Sequence, residues 1–168
     1  YCGIYALDNF IKARNGETKI TQEELTLRVI MVDLLAGNIK ELKGRLETSL
    51  YAINEVAGSL GIKLNTVKIS KEEFAGLKPE QYKELLPFIA HLNSRHFIYV
   101  DRITEDSVYY RGKESEGEKV FTKDLFLQAF SGYILTASTF TQYACDKEET
   151  RAARGGFVYQ SMYERDQA

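Results

Sequence analysis

A cysteine directly in front of a helix and a histidine directly in front of a strand are the residues of this chain best suited to chemistry. Cys2 precedes Gly3 and a run whose apolar side chains are Ile4, Leu7, Phe10 and Ile11. That spacing lines one face of a helix. Unpaired backbone N–H groups and the positive end of the macrodipole at a helix start favour thiolate, and thiolate is the nucleophilic form of cysteine. Gly3 keeps the backbone slim, so that a substrate could approach the sulfur. His96 opens the run HFIYVDRI, 94 residues further on, behind the polar trio Asn93-Ser94-Arg95. An imidazole on a sheet edge facing a helix start could take the thiol proton. The plainer reading of Cys2 is a small buried hydrophobe. His91 alternates with Ile89 in a strand-like run and is expected to be packed or hydrogen-bonded. Cys145 lies in a polar stretch and reads as incidental.

Other chemistries find less support. The carboxylates are many but unpatterned, so no glycosidase-type pair stands out. No glycine-rich phosphate loop is present. Two cysteines and two histidines, scattered as Cys2, His91, His96 and Cys145, do not make a metal site, so no metal or cofactor is expected. The net charge of −2 argues against a dedicated nucleic-acid binder. No polybasic anchor and no apolar run of the ~20 residues that span a bilayer is seen.

The elements that must position these residues can be read from the rest of the chain. At 168 residues, 44% hydrophobic and 27% charged, it has the size and composition of one globular domain. The first residue is Tyr1, not Met, which reads as a fragment or processed product of a longer parent. After the helix over 3–14, Thr21 and Glu24 form a capping-box pattern that starts a second helix near Gln22. A third helix is expected over 49–60 and a short strand over 64–69. Ser70 with Glu73 opens a short helix around Phe74. Strands follow at 87–93, 96–103 and 107–112, then a polar loop over 113–119. A helix from Thr122 ends at Ser131-Gly132, and a last strand covers 133–139. Helices first and a strand meander afterwards mean an α+β fold with an antiparallel sheet. Residues 140–168 are polar and are expected to be a helix, an extended tail or a partner-binding arm. The domain itself is placed at 1–139.

Cys2-Gly3-Ile4-Tyr5-Ala6-Leu7 resembles the C-G-x-x-A-L opening of the double-glycine leader peptidases, peptidase family C39, which are papain-like cysteine peptidases. The resemblance continues in order. Ile20 to Leu25 is similar to the family's second helix start. Thr48-Ser49-Leu50-Tyr51-Ala52-Ile53, with Ala57 and Leu60-Gly61-Ile62, resembles its next helix. Pro87-Phe88-Ile89-Ala90-His91-Leu92 and His96-Phe97-Ile98-Tyr99-Val100 resemble its paired strands, the second bearing the catalytic histidine. Phe126 and Phe130-Ser131-Gly132-Tyr133-Ile134-Leu135 resemble its last block. The resemblance covers about residues 1–137. It implies a papain-like fold, with a helical half packed on an antiparallel sheet, and hydrolysis of a peptide bond after Gly-Gly through a thioester on Cys2. His96 would be the base, with Tyr1 and Gly3 flanking the substrate.

Two positions depart from the family pattern. An Asp some sixteen residues after the histidine is expected there, and the count reaches Gly112-Lys113 here. Glu114 is the nearest acid and is taken as the third member, with Glu116 next and Asp101 on the His96 strand itself. The family's oxyanion glutamine lies several residues before the cysteine, where this sequence has Tyr1 alone. The expected partners are a peptide or protein substrate with a Gly-Gly site and further domains of a parent chain. The place would be the cytoplasmic membrane face for an exporter-type parent and extracytoplasmic for a secreted one. The alternative is a degenerate peptide-docking module of an exporter on the same fold, or a piece of a larger secreted or surface protein. Gly155-Gly156 is of the sequence type such a peptidase cuts after, and equally an ordinary loop pair.

Overall fold

The computed structural model describes residues 2–16, 19–42, 45–140 and 142–158. Helices α1 (Cys2–Asn15) and α2 (Gln22–Leu35) come first, then a hairpin of β1 (Lys40–Leu42) and β2 (Arg45–Ser49), then helix α3 (Leu50–Ser59). Strand β3 (Asn65–Lys68) leads to the short helices α4 (Lys71–Ala75) and α5 (Pro79–Leu85). Strands β4 (Phe88–Leu92), β5 (His96–Ile103), β6 (Ser107–Arg111) and β7 (Glu118–Thr122) form a meander. Helix α6 (Lys123–Ala129), strand β8 (Phe130–Thr136), a 3-10 helix at Lys147–Ala152 and strand β9 (Arg154–Val158) complete it.

Local chemistry starts these helices. The Ser49 hydroxyl accepts the Ala52 N–H at 3.1 Å, and the Thr122 hydroxyl accepts the Leu125 N–H at 3.2 Å. Each such cap contributes about 1 kcal/mol. At Ser70 and Glu73 both halves of the capping box are made. At Thr21 only the hydroxyl half is seen, to the Glu24 N–H, and the Glu24 carboxylate pairs with Arg28 instead.

The main sheet is antiparallel throughout, in the order β3-β8-β4-β5-β6-β7. Side chains of a strand alternate between faces, and both faces here are covered. Ile89, Phe97, Tyr99 and Leu135 pack with α1, α2 and α3. Phe88, Ala90, Ile98, Val100 and Ile134 pack with Phe74, Leu85 and Phe126 of α4, α5 and α6. Each such fully buried side chain contributes roughly 1.5–3 kcal/mol. The expected α+β fold, a helical half against an antiparallel sheet, is the one observed.

Some elements differ from the sequence reading. The loop expected over 113–119 holds a 3-10 turn at Glu114–Glu116 and the first residues of β7. Strand β8 begins at Phe130 without a break, and Gly132 lies inside it at φ 102. A side chain at Gly132 would stand 3.1 Å from the Ile69 carbonyl oxygen, so this glycine serves a close backbone approach, not a stop. In the stretch expected to be a helix, an extended tail or an arm, residues 142–158 hold a 3-10 helix and then a strand of the second sheet. The strand β9 pairs antiparallel with β2, Thr48 opposite Gly155 and Glu47 opposite Gly156.

Candidate active site

Phe97 is the plate on which the site is built. Its ring is 1% exposed and points from β5 toward α1. A Cβ added at Gly3 would lie 2.8 Å from Ile53 Cδ1 and 3.1 Å from the Phe97 ring. A Cβ added at Gly155 would lie 2.3 Å from the same ring. Two glycines, one on each chain segment, therefore let α1 and β9 close on one aromatic. Gly3 is buried, and the space freed by its missing side chain is filled by the core.

That closeness sets the cysteine. Cys2 is the first residue of α1, and the backbone N–H groups of Phe97, Gly3 and Cys2 itself favour its thiolate. On the other side the thiol donates to the Gly156 carbonyl oxygen, with Sγ and O 3.7 Å apart. Burial outweighs the three N–H groups and pushes the Cys2 thiol above its ordinary value. The helix start by itself would lower the thiol pKa, and the cover over the sulfur reverses that. Cys145 is also pushed up by burial; its backbone N–H donates to the Thr66 carbonyl.

His96 is the residue before Phe97, so the structure brings the start of β5 to the start of α1. It stays exposed, and loss of water around part of its ring is the main cause that lowers its pKa below 6.5. Lys119 adds to the lowering and Glu116 opposes it. Glu116, ion-paired with Lys119, is thus a carboxylate whose charge His96 feels. The turn before His96 is held hard. Arg95 has φ 62, a left-handed conformation that costs a non-glycine residue about 1 kcal/mol or more. Its guanidinium bonds the buried Glu47 at 2.9 Å, and its carbonyl accepts the Gly156 N–H at 3.4 Å.

The position sixteen residues after His96 is Gly112, just past the end of β6. Its carbonyl accepts the Asn9 amide of α1 at 2.8 Å. Asp101 is committed to Arg111, with Nε and Oδ2 2.9 Å apart. Glu114 opens the 3-10 turn beside this end of the sheet, and its side chain lies outside the described part, as does Tyr1. Among the described residues no group of three or more His, Cys, Asp or Glu could hold a metal ion, and no helix is long and apolar enough to cross a membrane.

His91, expected to be hydrogen-bonded, is placed on the Phe97 side of β4, its ring centroid 5.2 Å from that of Phe97. Nε2 lies 2.7 Å from the Arg154 carbonyl oxygen and Nδ1 2.7 Å from the Ser131 hydroxyl. A carbonyl only accepts, so Nε2 carries the proton and Nδ1 accepts from Ser131. Burial lowers the His91 pKa, against the opposing influence of the Arg154 carbonyl and Glu47. The folded state therefore binds fewer protons than the unfolded chain just below pH 6.5. The stability that follows is fully present above 6.5 and is lost as pH falls toward the folded value. Denaturant midpoints are expected to drop between pH 7 and pH 5.5, and to drop less in His91→Gln. Equal drops in the two proteins would mean that His91 does not carry the effect.

The model of the Peptidase C39 family matches residues 35–141, a span that contains His96 and Gly112. Two crystal structures share the fold. One is a double glycine motif protease from an AMS/PCAT transporter in complex with the leader peptide, at 15% identity and TM-score 0.58, covering 80% of this chain and 81% of that one. The other is the peptidase domain of Streptococcus ComA, a bi-functional ABC transporter involved in a quorum sensing pathway. It shows 19% identity and TM-score 0.59, covering 80% of this chain and 88% of that one. No curated protein matches significantly.

Proposed function

The chain belongs to the Peptidase C39 family, and on that premise we propose that it is a cysteine peptidase that cuts after small residues of the Gly-Gly type. The observation that carries this reading is the contact of the Cys2 sulfur with an extended backbone carbonyl, that of Gly156. A nucleophile at a helix start, touching an extended strand beside a histidine, is what acyl transfer requires. In the proposed reaction the sulfur attacks the scissile carbonyl carbon and His96 takes the thiol proton. The leaving amine receives that proton, and water then hydrolyses the thioester. In this reading the Cys2 backbone N–H serves the developing oxyanion. Selectivity for small residues follows from the Phe97 plate, which leaves no room for a Cβ at the residue before the one at the sulfur. Exporter-type substrates and a longer parent chain belong to the same proposal.

Gly112 favours a second reading. A histidine without an orienting carboxylate is less firmly held in tautomer and angle, and a docking module that binds such peptides without cutting them needs none. The two separate with a peptide aldehyde ending in Gly-Gly. A peptidase is expected to form the hemithioacetal at Cys2 and not at Cys145, seen with a carbon-13-labelled aldehyde as a hemithioacetal carbon resonance that is absent in Cys2→Ala and retained in Cys145→Ala. Binding without that adduct would favour the docking module.

A further inference from the structure

The contents of the cleft come from the chain itself. Strand β9 runs Arg154-Gly155-Gly156-Phe157-Val158 and is held as a bound peptide is held, by antiparallel addition to β2. Every backbone group of Gly156 that faces the site is used: its N–H donates to the Arg95 carbonyl and its carbonyl accepts from the Cys2 thiol. Gly155 occupies a position where an added Cβ would lie 2.3 Å from the Phe97 ring, which leaves no room for a side chain. Upstream, the segment is clamped. His91 donates to the Arg154 carbonyl at 2.7 Å, and the Arg154 guanidinium bonds the Asn38 side-chain oxygen at 2.6 Å. Nothing in the packing of a plain edge strand requires two successive glycines placed so that the second carbonyl meets the only cysteine at a helix start.

We propose that this chain carries its own substrate: Cys2 cleaves the Gly156–Phe157 peptide bond in cis. The proposal rests on the peptidase reading above. The bond formed is Sγ to the Gly156 carbonyl carbon, and the bond broken is that carbon to the Phe157 nitrogen. The thiol proton passes through His96 to the new Phe157 amine. Water then adds hydroxide to the carbonyl carbon and returns a proton to sulfur, leaving Gly156 as a free carboxylate. A tethered substrate acts at an effective concentration of about millimolar, so the step needs no affinity of its own. The same strand covers one side of the half-buried thiol, so it also hinders reagents at Cys2 until it leaves.

The test uses the 168-residue chain, incubated and followed by intact mass. Loss of the peptide FVYQSMYERDQA, leaving a C-terminal Gly156, is expected in the wild type and not in Cys2→Ala. The half-life should be unchanged over a hundredfold dilution, as an intramolecular step demands. Gly155→Val is expected to stay uncut, to alkylate with iodoacetamide at Cys2 at least several-fold faster than wild type, and still to cut a Gly-Gly peptide added in trans. An intact wild type that cuts the added peptide would overturn the cis proposal and leave the peptidase reading standing. Failure to cut either would remove both. Truncation of Cys2→Ala, or a rate that falls with dilution, would likewise refute cis cleavage.

Discussion

Alanine at Cys2 is expected to abolish cleavage of a Gly-Gly peptide, and alanine at His96 to slow it by about 10²- to 10⁴-fold, the range for loss of a positioned base. The two losses differ because the sulfur forms the covalent bond and the imidazole only moves its proton. The states of the two groups suit this division. Burial pushes the Cys2 thiol up, and loss of water around part of its ring lowers the pKa of the exposed His96, so a protonated thiol and a neutral imidazole are the forms favoured at neutral pH. Activity should therefore rise with pH through the lowered His96 pKa, with the acid limb of kcat/KM below pH 6.5. That limb should vanish in His96→Ala. A rate that ignores His96 and climbs only through the alkaline titration of the thiol would show a preformed thiolate acting alone, and the base assignment would fall.

The helix and strand starts that carry Cys2 and His96 were legible because each has a local signal. Apolar residues at helical spacing behind Cys2 and an alternating run behind His96 need no knowledge of the rest of the chain. Ser49, Ser70 and Thr122 cap helices for the same reason: the hydroxyl bonds an N–H three residues away. The remainder depends on distant partners. Strands β1 and β2, with sequences KEL and RLETS, show no periodicity and exist by pairing, β2 with a strand more than a hundred residues later. Gly155-Gly156 reads as a loop until Phe97 and Cys2 are seen on either side of it. The thiol pKa went the opposite way for the same cause. Its helix start is local, and the strand that helps to bury it is not. Glu116 is a carboxylate whose charge reaches His96, and no spacing from His96 announces it.

Replacing Asp33 with alanine is expected to cost about 3–5 kcal/mol, because it orphans several buried donors at once. Asp33 is fully buried in α2. Its carboxylate accepts the Ser49 N–H at 2.8 Å, the Ser49 hydroxyl at 2.8 Å and the Asn38 amide at 2.9 Å. Each buried donor left without an acceptor costs about 1–3 kcal/mol, more when its partner was charged. Three are orphaned together in Asp33→Ala. In a domain of this size about 4 kcal/mol lowers the melting temperature by roughly 8–16 °C. Asp33→Asn keeps the shape and one acceptor, and should lose about half as much. The network also reaches the site, since Asn38 carries the Arg154 guanidinium that clamps β9. Loosening Asp33 should therefore speed Cys2 alkylation under native conditions, before any global unfolding. Urea melts with an unchanged m-value would assign the loss to the folded state. A cost below 1 kcal/mol would mean that water replaces the carboxylate, and that α2 and α3 are joined by their apolar contacts alone.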